Sequence, residues 1–200
     1  MARGIAVFDY DGTIIKFDST KIIILFCFIL APKKFIQSVI KIHKKDKNTS
    51  ISTFFLSNTL VGKKIDKVES VFSLYTKICI MFLNKKIINK LNEIKGLGYV
   101  IIIASASPLF AVKSVLPEME ILGHDYQIIE NRYTGKTNNK MPIKNEKLIQ
   151  VMEIARCKGF KSIEYAYSDS IIDAPLLNYA NKSYLVRKSK IALWEKRDDK

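Results

Sequence analysis

Gly4-Ile5-Ala6-Val7-Phe8-Asp9-Tyr10-Asp11-Gly12-Thr13 is the stretch on which the reading of this chain turns. A short apolar run with β-branched members suits a strand buried on both faces, and this one delivers its polar residues at its carboxyl end. Two aspartates two residues apart reach one site together only if the chain leaves extended geometry there, and Gly12 permits that turn. Paired carboxylates suit a hard cation such as Mg²⁺, which takes oxygen ligands and commonly bridges to a substrate phosphate. One carboxylate can also act as a covalent nucleophile while a second moves protons. The plainer alternative for Asp9 and Asp11 is a pair of turn or capping residues.

Farther along, the pattern repeats. Tyr99–Ala104 is a second apolar run, with Gly96 and Gly98 before it and Ser105 after it; Ile163–Tyr167 is a third, ending at Ser168-Asp169; Ser183–Val186 is a weaker fourth. Helical periodicity over Glu146–Lys158 and Asp173–Ala180 separates them. Strands alternating with helices predict an open α/β fold with a parallel sheet, whose ligands gather outside the carboxyl ends of the strands. Three of these strand ends carry polar residues suited to chemistry. The Ser105 hydroxyl could hydrogen-bond a phosphoryl oxygen. Asp169 falls on a loop and Asp173 near a helix start, where it either adds charge to a cation site or serves as an N-cap.

Residues 16–90 behave differently, being rich in Ile, Phe and Lys and periodic in the helical sense. They read as several helices inserted after the first strand, with Asp18 as N-cap of the first, Pro32 at the first position of the second, and Asp46–Ser52 as a connection. The 200 residues carry 33 basic and 19 acidic side chains, for a net charge of +14, and 48% are hydrophobic. Such a composition excludes a disordered or collagen-like chain and fits one domain with an insert. The insert holds 15 lysines against Asp18, Asp46, Asp66 and Glu69, so most of the excess charge sits there. Its phenylalanines Phe26, Phe28, Phe35, Phe54, Phe55, Phe72 and Phe82 read either as its core or as part of a face that docks on anionic lipid. A basic nucleic-acid-binding module is the non-enzyme alternative, but no arginine-rich or aromatic RNA-binding motif accompanies the charge. Cys27, Cys79 and Cys157 lie too far apart to suggest a disulfide framework or zinc site. The longest uncharged apolar run, Ile22–Ala31, is ten residues, against the roughly 20 that a bilayer span needs. Asp9 interrupts the amino-terminal segment before a signal-peptide core develops, so the chain is expected in the cytoplasm.

Taken in order, Asp9-x-Asp11-Gly12-Thr13, Ser105 after a strand, a lysine, and Asp169-x-x-x-Asp173 resemble the haloacid-dehalogenase-like superfamily of phosphohydrolases. Ser105-Ala106-Ser107-Pro108 and the run from Tyr167 to Leu177 look more narrowly like the subfamily that contains phosphoserine phosphatase; Ser168 stands where many relatives have glycine. The resemblance implies a Rossmann-like parallel sheet flanked by helices, built from residues 1–15 and 91–200, with a helical cap at 16–90. It further implies an Mg²⁺-dependent phosphomonoester phosphatase in which Asp9 is the nucleophile and Asp11 the general acid and base. Mg²⁺ would be held by the Asp9 carboxylate, the Asp11 carbonyl and Asp169; Ser105 and a lysine would bind phosphate; Asp173, Gly12 and Thr13 would support them. Among Lys140, Lys144 and Lys147, the text Asn145-Glu146-Lys147-Leu148 best fits the family's lysine, with Lys144 next. In phosphoserine phosphatases a cap glutamate and a cap arginine grip the substrate. Asp18 stands at the acidic position, and no arginine occurs between Arg3 and Arg132. Phosphoserine is therefore one alternative substrate and a phosphatidylglycerophosphate-type lipid head group another; the general expectation is a phosphorylated small molecule or lipid, with peripheral contact to an anionic membrane.

Overall fold

The computed structural model describes residues 2–46, 49–188 and 190–196. Residues 47 and 48 of the predicted connection, with one of the insert's lysines, and both extreme ends of the chain lie outside them.

A six-stranded sheet forms the centre. Strand β1 (Ile5–Phe8) leads through a turn into α1 (Thr20–Leu30), α2 (Pro32–Ile40), α3 (Ile51–Leu60), α4 (Ile65–Met81) and α5 (Lys85–Gly96). The chain then enters β2 (Val100–Pro108), α6 (Leu109–Val115) and β3 (Glu120–His124), followed by the hairpin β4 (Tyr126–Ile129) and β5 (Arg132–Thr137). The remainder is α7 (Lys144–Cys157), β6 (Tyr165–Ser168), α8 (Ala174–Tyr179), β7 (Lys182–Arg187) and β8 (Lys190–Leu193). Sheet order is β3-β2-β1-β6-β7-β8, parallel except for the β7–β8 edge pair, and β4–β5 forms a separate antiparallel ribbon. Successive strands run outward from β1 to β3 on one side and from β6 to β7 on the other. The crevice between β1 and β6 is thus the topological switch point, where open α/β sheets hold ligands.

Period-two alternation explains why the apolar runs form central strands. Ile5 and Val7 of β1, with Ile102 and Ala104 of β2, pack against Val151, Met152 and Ala155 of α7 and Leu176 and Leu177 of α8. Ala6, Phe8, Ile101 and Ile103 face the other way, against Ile87, Leu91 and Ile94 of α5 and Val112 of α6. Phe8 stacks on Tyr167 at 4.6 Å and Tyr167 on Tyr184 at 4.7 Å, a ladder of rings across β1, β6 and β7. Each ring pair adds about 0.5–1.5 kcal/mol beyond its area.

Helices α1, α3 and α4 extend this second core. Ile23, Phe26, Cys27 and Leu30 of α1 meet Phe55, Leu56 and Leu60 of α3 and Val68, Phe72, Tyr75 and Cys79 of α4. Phe26, Phe55 and Phe72 are accordingly core residues, while Phe28 and Phe82 remain 45% and 48% exposed. Pro32 opens α2 as expected. Thr20 rather than Asp18 begins α1, yet the Asp18 carboxylate accepts the Thr20 N–H at 2.8 Å, so it still satisfies a first-turn amide. Among the described residues no single helix is long and apolar enough to cross a membrane; α1 and α2 together reach that length and composition but bend by 118°.

Main-chain hydrogen bonds tie the inserted helices to the rest of the chain at two places. At their ends, Ile15 and Leu83 form an antiparallel bridge flanked by Lys16 N–H to Phe82 O at 3.1 Å and Asn84 N–H to Ile14 O at 2.8 Å. On the far side, the α3–α4 loop bonds to the ribbon: Gly62 N–H to Tyr133 O at 2.8 Å, Tyr133 N–H to Lys63 O at 2.9 Å and Ile65 N–H to Asn131 O at 3.2 Å. Gly135 lets the ribbon and α3 approach; at φ +83° a Cβ there would stand 2.5 Å from Ser57 O.

Candidate active site

Asp9 leaves β1 with its N–H bonded to Tyr167 O on β6 at 2.8 Å, which fixes its position at the switch point. Its carboxylate is buried and accepts the Lys147 ammonium at 2.9 Å through Oδ1. Lys147 lies in the first turns of α7, 3% exposed, and also reaches Asp173 Oδ2 at 2.7 Å. Lys144 and Lys140 do not enter this cluster: Lys144 is exposed and Lys140 extends to Glu146 at 3.8 Å. Asp173 occupies the N-cap position of α8 but makes no capping bond. Its Oδ2 instead accepts both Lys147 and the Ser168 hydroxyl, the latter at 2.7 Å. Ser168 therefore has a use that glycine at this position would lack.

Asp11 stands on the turn, where Gly12 at φ +69° reverses the chain. Its Oδ1 accepts the Ser19 N–H at 2.7 Å, and its Oδ2 accepts the Ser107 hydroxyl at 2.6 Å with Ser105 Oγ at 3.5 Å. Ser107 and Ser19 were not anticipated as partners. The signal for Ser107 is simple: in an extended strand, residues 105 and 107 share a face, and β2 continues through both. Ser19 gives Asp11 its backbone amide and its hydroxyl, from the far side of the turn, where no strand pattern announces it. The Asp169 carboxylate lies over Gly12, so close that a Cβ at position 12 would stand 2.0 Å from Asp169 Oδ2. Thr13 is buried beside the site, its carbonyl accepting Asn84 Nδ2 at 3.2 Å, while its hydroxyl has no hydrogen-bond partner among the described residues. Asp18 is exposed and bonded to the start of α1, and its charge is felt at Asp11, whose carboxyl it raises.

Four carboxylates thus gather around this turn, and two of them, Asp9 and Asp173, bind the Lys147 ammonium. Burial pushes the Asp9 carboxyl up to about 8 against the pull of Lys147, with Asp173 and Asp11 pushing further. Burial also raises Asp11, although the Ser107 and Ser19 donors oppose it. Asp169, more open to solvent, is raised by the burial it does have and then by Asp173 and Asp11. Burial would lower the Lys147 ammonium, but Asp9 and Asp173 outweigh it and hold the proton firmly. Carboxyls strained upward in this way are what a divalent cation relieves. Among the described residues no three His, Cys, Asp or Glu side chains converge into a cage. The oxygen-only donor set at Asp9 and Asp169 fits instead the sparse coordination of Mg²⁺, which uses one or two carboxylates and keeps several waters.

Comparison with known proteins agrees with this architecture. The profile of a family described as haloacid dehalogenase-like hydrolase matches residues 6–178. None of the curated proteins matches the sequence. A Bordetella pertussis Tohama I protein of unknown function superposes with a TM-score of 0.73 at 17% identity, covering 92% of this chain and 89% of that one. A probable phosphoserine phosphatase from Vibrio cholerae gives 0.65 at 15% identity, covering 90% of this chain and 55% of the other. A phosphoserine phosphatase determined as a phospho-aspartyl intermediate analogue gives 0.56 at 17% identity, with 92% and 86% covered. At these identities the likenesses establish the fold.

Proposed function

Because the chain belongs to the haloacid dehalogenase-like hydrolase family, we propose that it is a phosphomonoester phosphatase working through an aspartyl phosphate on Asp9. The observation that carries this reading is the convergence of Asp9, Lys147, Asp11 and Asp169 at the carboxyl ends of β1 and β6, with Ser105 and Ser107 at the end of β2. The cap over that site is then residues 16–83 rather than the expected 16–90, because α5, from Lys85, packs on the sheet.

In the first step an Asp9 carboxylate oxygen bonds to phosphorus as the ester P–O bond breaks. Asp11, whose hold on a proton burial strengthens, gives a proton to the departing oxygen, so that a neutral alcohol leaves. In the second step the Asp11 carboxylate takes a proton from water, the resulting hydroxide bonds to phosphorus, and the Asp9–phosphorus bond breaks to release phosphate. Lys147 and the Ser105 hydroxyl face the phosphoryl oxygens, with Asp173 and Ser168 holding Lys147 in place. The carboxylates of Asp9 and Asp169 and the Asp11 carbonyl would hold Mg²⁺, which when bound screens the repulsion between nucleophile and phosphate dianion.

The test is release of phosphate from an aryl phosphomonoester with Mg²⁺. Activity should vanish with chelator and in Asp9→Asn, and rapidly quenched wild-type protein should carry one phosphoryl group by mass. Activity that survives Asp9→Asn overturns the mechanism.

A second reading concerns where the protein works. Leu25, Phe28 and Ile29 on α1 and Ile36, Val39 and Ile40 on α2 are exposed, and Phe28 joins the two helices through an edge contact with Phe35 at 5.6 Å. Exposed Lys21, Lys33, Lys41 and Lys44 accompany them, and among residues 20–46 the acidic side chains number one, Asp46. This combination supports peripheral docking on an anionic lipid surface, with about 1 kcal/mol from each lysine near it. Sedimentation with vesicles of phosphatidylglycerol but not of phosphatidylcholine is the expected result; equal recovery in both supernatants at low salt removes the idea.

A further inference from the structure

Two cavities open onto the carboxylate cluster, and they differ in charge. The larger, about 760 Å³, touches Asp169 and Gly12 and is rimmed by Lys16, Arg187, Lys188 and Lys190. The smaller, about 380 Å³, touches Asp11 and Ser107 and runs beneath the inserted helices. Thr20, Ser50 and Ser52 give it hydroxyls; Ile23, Ile51 and Ile143 give it aliphatic walls. Apart from Asp11, its lining among the described residues holds no carboxylate, ammonium or guanidinium.

The geometry points to a substrate class: we propose that the physiological substrate is the phosphate monoester of a small uncharged alcohol, whose carbon skeleton sits in the smaller cavity. The inference rests on the phosphatase reading above. If Asp11 protonates the departing oxygen, that oxygen lies beside Asp11, and the alcohol half of the ester must extend into the cavity that Asp11 lines. A substrate such as phosphoserine would carry both an ammonium and a carboxylate into that space. Neither finds a partner of opposite charge there, except that the ammonium competes for the acid that must protonate the leaving group. Charges taken from water without partners are strongly disfavoured, whereas alcohol hydroxyls meet the Thr20 and Ser52 side chains and methylenes meet Ile23 and Ile51. Asp18, the acidic residue that would have gripped an ammonium, is turned to the Thr20 amide and does not line the cavity. The cations stand at the opposite opening, on the Asp169 side, where their field draws in the phosphoryl dianion without touching the alcohol.

The experiment compares kcat/KM of the full chain with Mg²⁺ on an aryl phosphate, glycerol phosphate, butyl phosphate, phosphoethanolamine and phosphoserine. Glycerol phosphate or butyl phosphate should exceed phosphoserine on the order of 100-fold, the scale set by leaving charged groups unpaired. In Ile51→Arg, which places a guanidinium at the cavity wall on an exposed position, the ratio should move toward phosphoserine at least tenfold. Aryl phosphate turnover with phosphoserine equal to or better than the neutral esters overturns this inference and leaves the phosphatase reading standing. An unchanged ratio in Ile51→Arg overturns the placement of the alcohol. Loss of the aryl control as well means that the phosphatase reading itself has failed.

Discussion

Lys147 and Asp9, 138 positions apart in sequence, meet at 2.9 Å in the buried centre of the site, and Lys147 reaches Asp173 at the same time. One ammonium thus compensates two carboxylates contributed by different strand ends. Lys147→Met should lower stability by about 3–5 kcal/mol, the cost of stranding buried charge. Thermal unfolding checks this. Lys147→Met/Asp173→Asn should recover part of the stability without recovering phosphatase activity, since the phosphate-facing charge remains absent.

Asp11 is assigned a proton to give, and that role depends on the leaving group. A phenolic oxygen with a low pKa departs unaided, whereas an alkyl oxygen needs the acid. Asp11→Asn should therefore slow phosphoenzyme formation from an alkyl phosphate by about 10²–10⁴-fold and from a nitrophenyl phosphate much less. Rapid-quench measurement of the first turnover separates the two; equal losses on both esters would refute an acid role.

Burial holds the Asp9 carboxyl at about 8 against an ordinary 3.8. With no cation bound, the folded chain holds that proton more tightly than the unfolded chain does, so this group's contribution to stability is complete below about pH 4 and is lost as pH rises toward about 8. Cation binding to the ionised carboxylates opposes that loss. In chelator, the melting temperature should fall between about pH 5 and pH 8, and Mg²⁺ should raise it more at the upper end than at the lower. A magnesium effect of equal size at both ends would argue against contact with Asp9.

Gly12 meets two demands at once, a left-handed φ of +69° and room for the Asp169 carboxylate. The backbone alone makes Gly12→Ala cost about 1–2 kcal/mol. The added methyl also displaces Asp169, so the magnesium concentration for half-maximal activity should rise at least tenfold. A variant that melts lower but keeps the wild-type magnesium requirement would show that Asp169 is not a ligand.

The central strands were legible because burial on both faces demands unbroken apolar runs, which Ile5–Phe8 and Val100–Ala104 supply. Asp9, Asp11 and Asp169 stood out because each follows such a run. What escaped was the structure after α6. Strand β3 is an edge strand that reads Glu120-Ile121-Leu122-Gly123-His124, and only its carboxyl-terminal half is buried. The ribbon turns at Glu130-Asn131, with φ of +46° and +61°, a tight turn without the glycine that usually advertises one. β8 is exposed throughout, so no core-facing pattern marked it. Lys147 could be chosen over Lys144 from local text, but its ion pairs depend on α7 bringing it to β1, a tertiary fact.

The clasp between Gly62–Ile65 and the β4–β5 ribbon bears on how this scaffold could be re-engineered. Residues 16–90 look like a self-contained cassette in sequence, yet the main chain of their α3–α4 loop is completed by Asn131 and Tyr133, which arrive after three more strands. A graft that exchanges only that cassette leaves amides of Gly62, Ile65 and Tyr133 without acceptors. The transferable unit is discontinuous, and specificity borrowed from another relative would have to bring its ribbon with it.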